Sequence, residues 1–174
     1  MKTTIIFYAI ALSMLVLTSF SVHDREFEFE TKNKEKLYSK EEFEEEIAFK
    51  ESSNVLDTIN PFGYIGLYQF GSSALKDLDV SKKRLLKMNK EEQIILFWRH
   101  AKKNKKYLEK KMDMSFERIS KIWGISSGAL IYMMHRHGSG SLEKFLKHGI
   151  DHADGNDKKI SEIPDILKNY EFSF

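Results

Sequence analysis

Glu51 is the residue whose position most directly suggests chemistry. It follows Ile47 by four residues and Phe43 by eight, so on a helix its carboxyl lies on the same stripe as these two apolar side chains. It also falls in the last turn of that helix, where unpaired carbonyl groups place partial negative charge. Burial and the negative helix end both raise the pKa of a carboxyl group. A carboxylic acid that stays protonated near neutrality can protonate a leaving oxygen, but the same spacing also suits an acid that ends a solvated helix.

A glycine-rich segment follows Glu51. Pro61, Gly63 and Gly66 predict a loop or small hairpin over residues 53–66, and a helical pattern resumes over 68–78. Tyr64 and Tyr68 lie beside glycines in this region and are candidates to stack on a sugar ring. Other large apolar residues have helical spacing, which predicts core packing; these are Trp98, Trp123, Met133 and Met134.

The pair Glu51-Ser52, followed after the loop by Gly66-Leu67-Tyr68-Gln69-Phe70, resembles the signature of the lysozyme-like superfamily, and of bacterial lytic transglycosylases in particular. In that family a glutamate followed by serine ends a helix, and a Gly-Leu-Met-Gln-Ile type segment lies across the cleft. The apolar stretch 125–131, the glycine-rich turn 135–140 and Phe145-Leu146 after it are similar to a second block of the same family. Asp154-Gly155 and the segment 170–172 resemble its C-terminal elements more loosely. The resemblance covers residues 40–172.

The resemblance implies a mainly α fold of the lysozyme-like α+β type, with at most one small β-hairpin flanking an active-site cleft. It implies an enzyme that cleaves the glycan strands of peptidoglycan. Glu51 takes the family's catalytic acid/base role. Gln69 and Tyr68 match positions that line the sugar cleft, Ser52 matches the serine beside the acid, and His135 stands in the turn where many transglycosylases have asparagine. With Tyr64, these four residues form the predicted substrate-binding set.

The number of motif carboxylates favours a lytic transglycosylase. A glycoside hydrolase generally needs a second carboxylate about 5 to 9.5 Å from the acid, and the nearest ones in sequence, Asp57 and Asp77, have no motif support. The resemblance implies that Glu51 works alone, with the substrate's N-acetyl group stabilising the anomeric centre and the muramic acid 6-hydroxyl as the attacking group. A lysozyme-type muramidase using Asp57 and a catalytically inactive peptidoglycan-binding module stay open as alternatives.

Metal sites are weakly indicated. The chain has no cysteine, which excludes disulfides, thiolate zinc sites and a cysteine nucleophile. The pairs His135/His137 and His148/His152 have spacings compatible with zinc, but Gly149 interrupts the second pair. We therefore predict no metal and no cofactor.

The N-terminal residues predict export. Lys2, an apolar run over residues 5–20 and a small-x-small pattern at Ser19 and Ser21 have the form of a signal peptide covering residues 1–21. A polar lead-in over 22–38 and a catalytic domain over 39–174 follow. We expect a periplasmic or secreted protein that contacts a membrane only if the signal sequence stays uncleaved.

Charge is nearly balanced overall, with 28 basic and 26 acidic residues. The basic ones concentrate in residues 76–121, which is typical either of a solvated helical face or of a surface that attracts a polyanion such as a bacterial envelope. No recognition motif for nucleic acid appears, so we expect none as a partner. The expected partner is peptidoglycan and the expected state a monomer.

Helices must position these groups within one domain, since 174 residues are too few for two ordinary ones. Ser39 with Glu42 and Asn89 with Glu92 predict capping boxes. The second of these helices should run to Met112. Further signals predict an apolar helix after Ser126, a short one from Ser141 to Gly149, and a last one from Ser161 and Pro164 to near Tyr170. The inward residues expected for the helix after Asn89 are Ile94, Ile95, Trp98 and Ala101.

Overall fold

The computed structural model describes residues 37–172 of the chain. This part is mainly helical, as predicted, and its strand pairing is limited to isolated antiparallel bridges. The predicted signal peptide and most of the polar lead-in lie outside the described residues. In chain order the helices are α1 (Lys40–Ser52), α2 (Ser72–Asp77), α3 (Lys82–Leu85), α4 (Lys90–Met112), α5 (Phe116–Trp123), α6 (Ser127–His137), α7 (Ser139–His148), a 3-10 turn (Ile160–Glu162) and α8 (Ile163–Ile166).

Helix α6 is the central element. Residues 127–134 are all buried, and α4, α5, α7 and α8 pack around them. The Ser126 hydroxyl accepts a hydrogen bond from the Ala129 N–H, which confirms the predicted cap. Gly128 lets the C-terminal segment approach closely, since a Cβ here would lie 2.5 Å from Tyr170 Cβ.

Helix α1 carries Glu51 to the place that the sequence predicts. The capping box of Ser39 and Glu42 is present at its start. Phe43 and Ile47 are fully buried, so the predicted apolar stripe does face the core. Ser53 ends the helix in the left-handed region at φ 54°. The carboxyl of Glu51 is therefore fixed in the last turn of α1, directly beside the loop that follows.

That loop extends further than predicted. The prediction of a helix that begins at Tyr68 is wrong, because α2 begins only at Ser72. Ile65 and Phe70 exchange two backbone hydrogen bonds of 3.1 and 2.8 Å, which close a tight reversal over the residues between them. Gly66 at φ 81° and Gln69 at φ 49° provide the left-handed positions that such a reversal requires. The result is one compact wall over residues 58–71.

Several helix details differ from prediction. Ile95 is exposed and not inward, because the buried stripe of α4 runs through Leu96, Phe97 and His100. Helix α5 was not predicted, although Ser115 caps it. Helix α7 begins at Ser139 without a side-chain cap, so Ser141 is not its cap, and the last helix stops at Ile166. Within residues 37–172, no helix combines the length and the apolar character that a membrane crossing requires.

Candidate active site

Glu51 lies in a small pocket of about 60 Å³. Its side chain is half-buried, and three parts of the chain meet around it: the loop wall from Asn60 to Gly71, the end of α6, and the turn after α7. The lining residues that contribute polar groups near Glu51 are Asn60, Gln69, His135, Arg136, Asp154 and Asn156. The pocket is thus a place where the Glu51 carboxyl faces several hydrogen-bonding groups.

The Glu51 carboxylate is held by a chain of polar contacts. The hydroxyl of Tyr132, which is buried in α6, donates a hydrogen bond of 2.6 Å to Glu51 Oε1. Arg136, one turn further along α6, donates from Nη1 to the Tyr132 oxygen at 3.4 Å. The other guanidinium nitrogen forms an ion pair with Asp154. Asp154 in turn accepts backbone hydrogen bonds from Asn156 and Lys158. Glu51 is thus positioned through three linked side chains, those of Tyr132, Arg136 and Asp154.

Burial sets the protonation of Glu51. It is the largest influence and raises the pKa of the carboxyl above its usual range, while the Tyr132 hydroxyl and the Arg136 charge partly oppose it. Burial also acts on Asp154, but two backbone N–H donors and Arg136 hold the pKa of that carboxyl below its usual range. The pKa values of the two carboxyl groups of the pocket are therefore shifted in opposite directions, that of Glu51 upwards and that of Asp154 downwards.

Ser52 connects α1 to the loop wall. Its hydroxyl lies 3.1 Å from the carbonyl of Ala48 and 2.8 Å from the carbonyl of Leu67, so its single proton is shared between these two backbone oxygens. Gln93 of α4 holds the same wall, accepting from the Leu67 N–H at 2.8 Å. Ser52 does not line the Glu51 pocket. The structure therefore corrects its predicted substrate-binding role to a positioning role.

The prediction that Tyr68 stacks on a sugar is wrong. Its ring is 0% exposed and stacks on Phe97 with centroids 4.5 Å apart. The tight reversal turns this side chain into the core. Its backbone carbonyl faces the site instead and is 2.6 Å from His135 Nε2.

Gln69, predicted to bind substrate, lines the Glu51 pocket. It is 6% exposed, and its Nε2 donates to the Gly66 carbonyl at 2.8 Å. Its Oε1 is buried and has no hydrogen-bond partner among the described residues. A buried acceptor without a partner is costly, so this oxygen is available to a donor on a bound ligand.

His135 lies where the pocket meets a larger groove. Because a carbonyl oxygen only accepts, the 2.6 Å contact with Tyr68 O places the proton of a neutral His135 on Nε2. Burial lowers the pKa of His135 to about 4, with the Tyr68 hydrogen bond opposing this shift. The ring is therefore neutral at pH 7, and its buried Nδ1 is an acceptor without a described partner.

The groove has a volume of about 610 Å³ and continues from the Glu51 pocket, with which it shares Tyr64, Gly71, His135 and Arg136 among others. Helix α4 forms one side with His100, Asn104 and Tyr107, and the α6–α7 junction forms the other. Tyr64, predicted to stack on a sugar, lines both cavities and is 39% exposed, so its ring is accessible. The combined cleft is large enough for more than one ring of a polymeric ligand.

The predicted candidates for a second carboxylate fall in different places. Asp57 is exposed and lines neither cavity. Asp77 lines the groove but not the Glu51 pocket. The other carboxylate that lines the pocket of Glu51 is Asp154, which already accepts from two backbone N–H groups and pairs with Arg136.

The histidine pairs do not assemble into a cluster. Within the described residues, no group of three or more histidine, aspartate or glutamate side chains is arranged to hold a metal ion. Helix α7 ends at His148, and Gly149 is left-handed at φ 66°. His148 and His152 therefore do not share a helix face.

Sequence reasoning missed the residues that hold Glu51. Arg136 lies within the quoted turn, and Asp154 within the C-terminal motif, but neither had been connected with the acid. Tyr132 carried a usable signal, since it is a hydroxyl-bearing residue one helical turn before Arg136 in an otherwise apolar stretch. A buried tyrosine hydroxyl needs a partner, and Glu51 provides it.

Comparisons with known proteins add no relative. A scan against protein-family models finds no match, and searches of curated proteins and of solved structures find none either.

Proposed function

We propose that this protein is a peptidoglycan lytic transglycosylase with a lysozyme-like domain, in which Glu51 is the catalytic acid and base. The observation that carries the proposal is the half-buried Glu51 carboxyl, which has a raised pKa and a fixed orientation on Tyr132 and opens into a large cleft. The motif resemblance around Glu51 and Gln69 adds the substrate class. Residues 1–21 have the pattern of an export signal, which would bring the enzyme to the bacterial cell wall.

Proton transfer is the step that Glu51 is suited to perform. Protonated Glu51 would donate to the glycosidic oxygen between N-acetylmuramic acid and N-acetylglucosamine as that bond breaks. The substrate's own N-acetyl group would stabilise the anomeric carbon. Glu51, now ionised, would then take the proton of the muramic acid 6-hydroxyl as this oxygen closes a 1,6-anhydro ring. Tyr132 and Arg136 favour the charged form of Glu51 and so assist this second half.

The wall of the cleft suits an amide-bearing sugar. The unpartnered Gln69 Oε1 would accept from an N–H or O–H of the substrate, and His135 Nδ1 offers a second acceptor. Tyr64 would supply an exposed ring for stacking at the entrance. Ser52 and Gln93 would act indirectly, by keeping the loop wall at a fixed position relative to Glu51.

A muramidase is the second candidate, and Asp154 is the observation that favours it. A protonated glutamate near an ionised aspartate is the arrangement of a two-carboxylate glycosidase. We nevertheless rank it second, because both Asp154 oxygens are occupied by Arg136 and two backbone N–H groups and are poorly placed to activate water or attack a sugar.

Replacement of Glu51 by glutamine tests the proposal. Glu51→Gln keeps the size and the acceptor for Tyr132 but cannot transfer a proton, so murein solubilisation should fall by about 10² to 10⁴-fold. Glu41→Gln is the matched control, since Glu41 is exposed at the other end of the same helix. Unchanged circular dichroism would establish that both variants fold. Full activity in Glu51→Gln would refute the assignment of the site.

A further inference from the structure

Helix α4 presents a row of positive charge next to the cleft. Arg99, Lys102, Lys103, Lys106 and Lys110 are all exposed, and we call this set the cationic ridge. The spacings of three and four residues bring these side chains onto one stripe of the helix. At 1.5 Å per residue the ridge extends over about 16 Å.

The charge of the ridge is not neutralised by the described part of the protein. Lys90 and Lys105, on the same helix, pair with Glu45 and Glu117. In contrast, no residue of the cationic ridge forms an ion pair with a described carboxylate. Arg99 and Lys103 donate to the backbone carbonyls of Leu78 and Asp77, which leaves their charge in place.

Two of the three acidic residues of α4 are engaged elsewhere, and the third, Glu91, is exposed in the first turn, eight residues before Arg99. Glu92 closes the capping box at the start of the helix, and Glu109 accepts from the Phe116 N–H. The basic residues of α3 and the turn after it are exposed as well and add to the positive field; these are Lys82, Lys83, Arg84 and Lys87. The α3–α4 side of the molecule is therefore cationic over a long distance, and a polyanion complements it.

The ridge borders the groove. Lys103 belongs to both, since it lines the groove together with His100, Asn104 and Tyr107. The other three residues form a stripe of α4 that lies next to the ridge. A charged polymer bound along the ridge would therefore run beside whatever occupies the groove.

We propose that the cationic ridge binds a phosphodiester polymer carried by the cell wall, alongside the glycan strand that the cleft receives. This rests on the proposed function, which places murein in the adjoining cleft. A polymer linked to the glycan would offer repeated single negative charges at the side of the enzyme where the ridge lies. Binding would release counterions and fall steeply with salt.

A membrane surface fits the ridge less well. A helix that lies on a bilayer buries an apolar face among the lipids, whereas the apolar face of α4 is in the protein core. Ile95 is an exposed apolar residue on the ridge side of α4, and it lies one turn before Arg99. The ridge can thus contact phosphate groups but offers little for insertion.

Wall binding can be measured without cleavage by using the full chain with Glu51→Gln. The ligands are purified walls that retain their phosphodiester polymer, and the same walls after hydrofluoric acid has hydrolysed the phosphodiesters. We expect affinity to be at least about tenfold higher for the intact walls, and to decline steeply between about 50 and 200 mM salt. Equal binding to both wall preparations would overturn the proposal, as would tighter binding to anionic lipid vesicles or to DNA than to intact walls.

Charge variants locate the effect. Replacing Lys102, Lys106 and Lys110 together by glutamine should lower the affinity for intact walls about tenfold and flatten the salt dependence. Arg99 and Lys103 stay unchanged in this variant because their bonds to backbone carbonyls contribute to the fold. The control removes the same charge elsewhere, from exposed lysines that make no ion pair with a described residue; these are Lys121, Lys144 and Lys159. Equal losses in both triple variants would mean that net charge, and not the ridge, attracts the wall.

The two proposals fail separately. Cleavage of the acid-stripped walls by the chain with an intact Glu51 tests the enzymatic proposal without the polymer. Polymer-dependent binding together with no cleavage would refute the enzyme and support the ridge. Cleavage of stripped walls together with polymer-independent binding would support the enzyme and refute the proposal for the ridge.

Discussion

The Glu51 pocket and the adjoining groove share part of their lining, but the acid of the pocket and the histidines of the groove are held differently. In the pocket, Glu51 accepts from Tyr132, and that contact continues to Arg136 and Asp154. In the groove, the Nδ1 of His135 and the Nε2 of His137 are buried without a partner among the described residues. A hydrogen-bonded acid is held in one orientation, whereas unpaired ring nitrogens leave bonding capacity for a ligand.

Burial shifts pKa values in opposite directions in the two regions, but in both it favours the neutral form. It raises the pKa of Glu51, and it lowers the pKa of His135 to about 4 and of His100 to about 3, the latter with help from the neighbouring His135. Burial thus disfavours the charged form of the carboxyl, and both imidazoles are neutral at pH 7. The difference shows how the cleft can confine proton transfer to one residue while binding through uncharged contacts elsewhere.

Removing the Tyr132 hydroxyl should give the largest loss in a variant that keeps Glu51. Tyr132→Phe leaves the carboxyl without its orienting donor, and misplacement of a catalytic group can cost about 10²-fold in kcat. The Tyr132 hydrogen bond also lowers the pKa of Glu51. Its loss should therefore raise that pKa and move the basic limb of the kcat–pH profile to higher pH. A profile that does not move would show that Tyr132 does not influence the ionisation of Glu51.

Removing the charge of Asp154 should have a smaller effect. Asp154→Asn keeps an acceptor for the Asn156 and Lys158 N–H groups but loses the ion pair with Arg136. Because Asp154 acts through Arg136 and Tyr132, we expect kcat to fall about fivefold or less, equivalent to about 1 kcal/mol. A loss as large as that of Glu51→Gln would make Asp154 a second catalytic carboxylate and favour the muramidase.

On the groove side, His135 should affect stability in acid more than activity at pH 7. A histidine whose pKa is lowered in the folded state stabilises the fold above the unfolded-state pKa near 6.5, and this stability is lost as pH falls towards about 4. His135→Gln keeps a donor for the Tyr68 carbonyl. It should reduce the slope of unfolding free energy against pH by about 1.4 kcal/mol per pH unit in that window. Urea unfolding at several pH values measures the slope, and an unchanged slope would show that His135 is protonated without cost.

Much of the helical structure that carries Glu51 could be predicted from residues close together in the sequence. Capping boxes and the spacing of Phe43, Ile47 and Glu51 depend on residues within one or two turns of each other, and the structure confirms them. The raised pKa of Glu51 follows from the same stripe, since a side chain in line with buried residues is itself partly buried.

Contacts between distant segments could not be predicted in this way. Tyr132 lies 81 residues from Glu51 in the chain, and their hydrogen bond exists only because α6 passes the end of α1. Tyr68 was misread for a similar reason: glycine neighbours indicate a loop, but the left-handed turn at Gly66 and Gln69 directs the ring onto Phe97 in the core. Ile95 shows that an apolar residue on a helix can face outward when its neighbour Leu96 takes the core position.

The identity of the cleaved ends tests the central claim most directly. Purified murein would be incubated with the active chain and the soluble products analysed by mass spectrometry, with Glu51→Gln as the blank. If Glu51 works alone, the new ends are 1,6-anhydromuramic acid, which has one water less than a reducing end, and the blank yields none. Reducing ends would show that water attacked and that a second carboxylate takes part, and intact murein would contradict the assignment of Glu51 as a glycan-cleaving acid.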